Sequence, residues 1–206
     1  KLGRINADTS VTIFDNPDVA ATILADSLSI EFNGKLYFII GIAGKYRLAE
    51  FDGNNVAWVP QPDGGDGFTT YKPVVNNGYL YWVYQNINHK FQVAKYDGST
   101  ISLIGDPGSG TGAYSNIVQY NNDIYFKFNN KLARYNEVNN IITYITGSDA
   151  IGSDPFIFDN KIWFKISNGS IQQYSLAYYN GNNINIIGQP LNFDFGFSKP
   201  IIFNSK

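Results

Sequence analysis

The stretch "IVQYNNDIYFKF" (117–128) is a short apolar run, an Asn-Asn pair, and then a second run rich in aromatic residues. Asn tolerates positive φ, and the flanking residues suit a pleated surface, so the stretch reads as a tight β-hairpin. Three other stretches read the same way: "SIEFNGKLYFII" (29–40), "PVVNNGYLYWVY" (73–84) and "PFIFDNKIWFKI" (155–166). A second hairpin follows each: "YRLAEFDGNNVAWV" (46–59), "FQVAKYDGSTISLI" (91–104), "LARYNEVNNIITYI" (132–145) and "QYSLAYYNGNNINII" (173–187). Their turns carry Asp52-Gly53, Asp97-Gly98, Asn136-Glu137 and Asn180-Gly181, and Asp-Gly and Asn-Gly favour two-residue turns. Each unit thus holds four short strands, A to D.

One column of strand A measures the period. Ile30, Val74, Val118, Phe156 and Ile201 are equivalent, at spacings of 44, 44, 38 and 45. Four-stranded units at this period mark a β-propeller, whose blades bury their faces only against one another. The opening "KLGRINADTSVTIF" aligns with "KLARYNEVNNIITYI" (131–145), and the tail "KPIIFNSK" aligns with strand A. The expected fold is therefore all-β, a five-bladed propeller of four-stranded antiparallel blades in one domain, 1–206. The blades are 28–59, 72–104, 115–145, 154–187, and a fifth that joins 199–206 to 1–14. Such a mixed blade clasps the ring. Its strand B is missing, because Lys206 aligns with Lys161 and Lys1 with Lys131. The natural chain is expected to extend beyond one terminus. The alternatives are a fragment of a larger ring, or a strand given by a partner at the incomplete blade.

Composition agrees. The 206 residues are 44% hydrophobic and 16% charged, with many aromatic residues and three glutamates. That is a globular composition poor in helix formers. A net charge of −2 offers no basic surface for phosphates, so nucleic acid is excluded as a partner. No apolar run is long enough for a membrane span. With no cysteine and a single histidine, His89, there is no disulfide, thiol nucleophile, Cys-based zinc site or multi-histidine metal site.

The hairpin residues resemble bacterial propeller repeats of the ELWxxDGT and Kelch-like kind. The best match is "KYDGSTISLIGDPGSGTGAYSNIVQYNNDIYF" (95–126), although the Glu-Leu-Trp triplet is absent. This resemblance implies secreted or cell-surface binding proteins and carries over no catalytic residue.

The D–A and B–C loops share one face, and the D–A loops are the most irregular. All contain aspartate: Asp18, Asp63 with Asp66, Asp106, Asp149 and Asp194. Around one mouth these would favour cations or polyhydroxy ligands; equally, Asp-Pro and Asp-Gly make turns. The sequence implies no cofactor, and Asp63-Gly-Gly-Asp66 is the one candidate for calcium. Phe193, Phe195 and Phe197 alternate with Asp194 and would form a stacking platform if exposed, or fill the seam if buried. Tyr114, Phe68 and His89 are expected on the same face. Glu31 is a carboxylate in an otherwise mostly apolar strand-A column. The pairs Tyr37-Phe38, Tyr81-Trp82, Tyr125-Phe126 and Trp163-Phe164 read as core, because neighbours in a strand point to opposite packed faces.

These features favour a non-enzymatic secreted or surface module that binds a glycan or protein on this face. Two alternatives stay open. One is a glycoside-processing enzyme using carboxylates at the channel mouth, with Glu31 and Asp154 as the candidate pair. The other is an assembly subunit that completes its open blade with a partner strand.

Overall fold

The computed structural model describes residues 1–15, 17, 22–23, 29–42, 45–63, 67–68, 71–105, 112–113, 115–167 and 174–191, with the backbone alone at 22, 23, 68 and 189–191. The chain opens with β1 (Leu2–Ile5) and β2 (Val11–Phe14), then the short β3 (Thr22–Ile23). Blade one is β4 (Ile30–Phe32), β5 (Lys35–Ile42), β6 (Lys45–Phe51) and β7 (Val56–Trp58). After β8 (Gly67–Phe68), blade two is β9 (Val74–Asn76), β10 (Tyr79–Gln85), β11 (Phe91–Tyr96) and β12 (Ile101–Ile104). Blade three is β13 (Val118–Tyr120), β14 (Asp123–Phe128), β15 (Lys131–Asn136) and β16 (Ile141–Tyr144). Blade four is β17 (Phe156–Phe158), β18 (Lys161–Ser167), β19 (Tyr174–Tyr179) and β20 (Ile184–Leu191).

The architecture is an all-β, five-bladed propeller, with four full blades and a fifth begun by the β1–β2 hairpin. The strand expected at 199–206 lies outside the described residues. No helix among the described residues is long and apolar enough to cross a membrane.

The A–B turns form as the sequence dictates. Asn33-Gly34, Asn77-Gly78, Asn121-Asn122 and Asp159-Asn160 all have positive φ at both positions, between 47° and 78°. They close two-residue hairpins whose twist matches the strands. The C–D turns differ from expectation. Phe51 pairs with Val56 and Tyr96 with Ile101, so each connection has four residues instead of a two-residue Asp-Gly turn. The reason is local side-chain chemistry. Asp52 accepts the N–H groups of Asn54 and Asn55, and Asp97 those of Ser99 and Thr100. Asn180 does the same for Asn182 and Asn183. These N–H bonds hold the Asp52 and Asp97 carboxyls below the ordinary range.

Blades hold together through a repeated wedge. In blade two, Tyr96 sits opposite Ile101 and enters the hollow between Phe32 and Tyr37 of blade one, at ring distances of 6.4 and 6.1 Å. Tyr135, opposite Ile142, meets Tyr81 of blade two at 6.3 Å. Tyr179, opposite Ile184, meets Tyr120 and Tyr125 of blade three at 6.5 and 5.9 Å. Each hydroxyl reaches polar atoms of its own C–D turn: Gly98 O, Asn140 Oδ1 and Gly181 O. The aromatic pairs of strand B serve both neighbours, as expected. Tyr81 packs toward blade three and Trp82 toward blade one, while Tyr125 packs toward blade four and Phe126 toward blade two. Blade one turns Phe38, Ile40 and Phe51 to the N-terminal hairpin, where Leu2 joins this cluster and Phe14 meets Phe51 at 4.5 Å.

Backbone staples add a second link. Gly67 pairs in parallel with Tyr46 of blade one, while Phe68 pairs with Tyr84 of blade two. Gly112 and Ala113 likewise join Phe91 of blade two to Phe128 of blade three. Ile151 bonds to Asn130 O and pairs with Ile166, linking blades three and four. Gly67 has φ of +92°, and a Cβ there would collide with Tyr46 O, so this crossing requires glycine.

Two tyrosines that differ in hydrogen bonding test this core. Tyr37 donates to Glu50 at 3.0 Å, whereas the Tyr81 hydroxyl is buried and has no partner among the described residues. In urea unfolding, Tyr37→Phe should lose about 1–3 kcal/mol, and Tyr81→Phe should be neutral or stabilising. Equal losses would contradict these assignments.

Candidate functional site

The strand-A edges of blades two, three and four lie side by side, so the residues just before each strand A come from the same end of neighbouring blades. Two serines fix the entry. Ser115 is fully buried; its hydroxyl accepts the Lys127 N–H at 2.7 Å and donates to Asn116 O at 2.9 Å. Ser153 repeats this one blade on, accepting the Lys165 N–H at 2.9 Å and donating to Asp154 O at 3.2 Å. Each hydroxyl ties the start of strand A to the end of strand B in its own blade. Asn116 and Asp154 are thereby set at the same level of neighbouring blades.

They meet across the blade boundary, where Asn116 Nδ2 donates to Asp154 Oδ2 at 3.1 Å. Lys127, near the end of β14, shares this corner. Burial pushes its ammonium pKa below the ordinary lysine value, and the Asp154 charge pulls part of it back. The result is an amide, a carboxylate and a desolvated cation on a rigid frame. The sequence had singled out Asp154 alone of the three. The signal that would have found the frame is serine three residues before the strand-A column, at Ser27, Ser115, Ser153 and Ser198.

The other expected residues fare differently. Asp63 is engaged: its carboxylate accepts the Tyr84 hydroxyl at 2.5 Å and the Ile87 N–H at 3.0 Å, which pins the B–C loop. Its proposed calcium partner, Asp66, lies outside the described residues, as do Phe193, Asp194, Phe195, Phe197 and Tyr114. Among the described residues no three His, Asp or Glu side chains cluster as for a metal ion. The Phe68 backbone belongs to the staple between blades one and two. His89 is exposed in the loop 86–90 with φ of +57°, and its N–H donates to Asn86 O, so it shapes a turn. Asp149 is exposed and bridges Lys131 at 2.8 Å, while Asp18, Asp106 and Asp194 lie outside the described residues. Glu31 is exposed on β4 of blade one, and Asp154 lies in blade four. Glu31 is the second residue of β4, whereas Asp154 precedes β17 by two residues.

No family model and no curated protein matches the chain. Among solved structures, it is similar to a family 117 glycoside hydrolase produced by the marine bacterium Zobellia galactanivorans, at 14% identity and a TM-score of 0.46, over 86% of this chain and 72% of that one. It is also similar to the RS223 β-xylosidase, at 14% identity and a TM-score of 0.35, over 78% of this chain and 76% of that one. Nothing in these likenesses points to ELWxxDGT or Kelch-like repeats in particular. The expectation of a non-enzymatic binding module is corrected here: the similar solved structures are glycoside hydrolases, and the non-enzymatic reading is withdrawn.

The coupling of Lys127 to Asp154 can be read directly. An NMR titration of the Lys127 side chain should give a midpoint below the ordinary lysine value, and Asp154→Asn should lower it further. An unchanged midpoint in the variant would separate the two groups.

Proposed function

We propose that the chain processes glycosides at the mouth where Asn116, Lys127 and Asp154 converge, with Asp154 as its working carboxylate. The observation that carries this reading is the Asn116–Asp154 hydrogen bond across two blades, beside a desolvated ammonium. A carboxylate steadied by an amide N–H and a cation suits the charged role in glycoside cleavage, as base or nucleophile. Its orientation is held from behind, because Ser153 ties the Asp154 backbone to the end of β18. A rigid frame of this kind keeps a reacting group within the tight tolerance that catalysis needs.

Glycoside cleavage also needs a second carboxyl as acid, within about 5–10 Å. By sequence the candidates are Glu31 and the D–A loop aspartates Asp18, Asp66, Asp106 and Asp194. Lys127 and Asn116 would bind sugar hydroxyls or hold the carboxylate in place. Substrate entry from the D–A side fits the irregular length and sequence of those loops, which any one ligand would meet unequally.

The test is a hydrolysis screen with a panel of aryl glycosides that includes xylosides and with xylan oligosaccharides, read by released chromophore and by product chromatography. Turnover should fall about 10²–10⁴-fold in Asp154→Asn, with the fold retained by circular dichroism. No turnover on any substrate, or full activity in Asp154→Asn, would overturn the proposal.

A further inference from the structure

The wedge pattern predicts a contact that the described residues leave unmade. In blades two and four the last residue pair before the C–D turn is Tyr96 with Ile101 and Tyr179 with Ile184, and in blade three the corresponding pair, one step before the last, is Tyr135 with Ile142. All three pairs pack against the preceding blade. The same pair in the N-terminal hairpin is Ile5 with Val11. These two are 77% and 59% exposed.

The blade that should precede this hairpin is blade four, and its outward face is also uncovered. Phe158 stands in the column of Phe32 and Tyr120, and Trp163 in that of Tyr37, Tyr81 and Tyr125, which are the residues that receive a wedge elsewhere. Trp163 stacks on Tyr178 at 5.0 Å and lies 6.2 Å from Phe158, so a preformed aromatic floor faces outward. Leu176 and Ile187, opposite each other on the same face, are 40% and 46% exposed. The hairpin's other face already packs on blade one.

We infer that the Ile5–Val11 face docks on the Phe158–Trp163–Leu176 face of blade four within the same chain, and so completes the circle of blade interfaces. Two arguments choose this occupant. The donor pair and the receiving floor occupy matching positions of one repeated interface. The docking would also continue, in register, the contact that the hairpin makes with blade one. Apolar side chains exposed on both faces gain by meeting.

The chain has no cysteine, so a single engineered pair can be read cleanly. Ile5→Cys with Leu176→Cys would be treated with a bismaleimide spanning about 10 Å, the separation of packed sheets. Ile5→Cys with Val138→Cys, at the 91% exposed tip of blade three, serves as control. The expected result is a monomeric cross-link between the two peptides, seen by mass spectrometry, several-fold above control and unaffected by tenfold dilution. Cross-linked dimers that disappear on dilution would overturn the inference, because the faces would then meet between two copies. A yield equal to the control would overturn it as well.

Discussion

A tyrosine at the end of strand C, backed by an isoleucine on strand D, enters the hollow between strands A and B of the preceding blade. The rest of the molecule depends on this contact. A four-stranded sheet of this size cannot bury two faces by itself. The wedge gives each blade a neighbour on a fixed side and at a fixed depth. Its ring meets the preceding blade's rings at tilted or edge-on angles, a favourable arrangement for aromatic quadrupoles. Its hydroxyl stays satisfied by the turn that follows, so a polar atom enters the interface without an unmet bond. The staples at Gly67, Gly112 and Ile151 then stitch the backbones together near the opposite end of the same interfaces.

Much of this was legible in the residues. Asn-Gly and Asn-Asn between apolar runs fixed the A–B hairpins, because few other residues accept two successive positive φ angles. The 44- and 38-residue spacings gave the blades, and the paired aromatics of strand B gave the core. The C–D turns were misread because Asp52 and Asp97 act through their carboxylates, which cap the loop, more than through the backbone freedom of the glycine that follows. The staples were invisible for a different reason. Short pairings such as those of Gly67 and Phe68 carry no periodicity, and only their recurrence at three blade boundaries among the described residues gives them away.

The site was legible in one residue of three. Asp154 draws notice as a carboxylate before a strand, but Asn116 and Lys127 look ordinary until two blades are set side by side. Spatial adjacency across a blade boundary leaves no local trace in the chain. The same limit explains Asp63 and His89. Both fell on the expected face, yet one ties down a loop and the other shapes a turn. The division between structural and chemical residues depends on partners that come from distant positions.

The wedge itself can be measured by a double-mutant cycle on Tyr125 and Tyr179, whose rings lie 5.9 Å apart across the boundary between blades three and four. Each tyrosine would be replaced by leucine, alone and together, and stability read by urea unfolding. A coupling of about 0.5–1.5 kcal/mol is the predicted result for directly packed rings. Losses that add to within about 0.3 kcal/mol would contradict the account, because blades three and four would then not be joined through this contact.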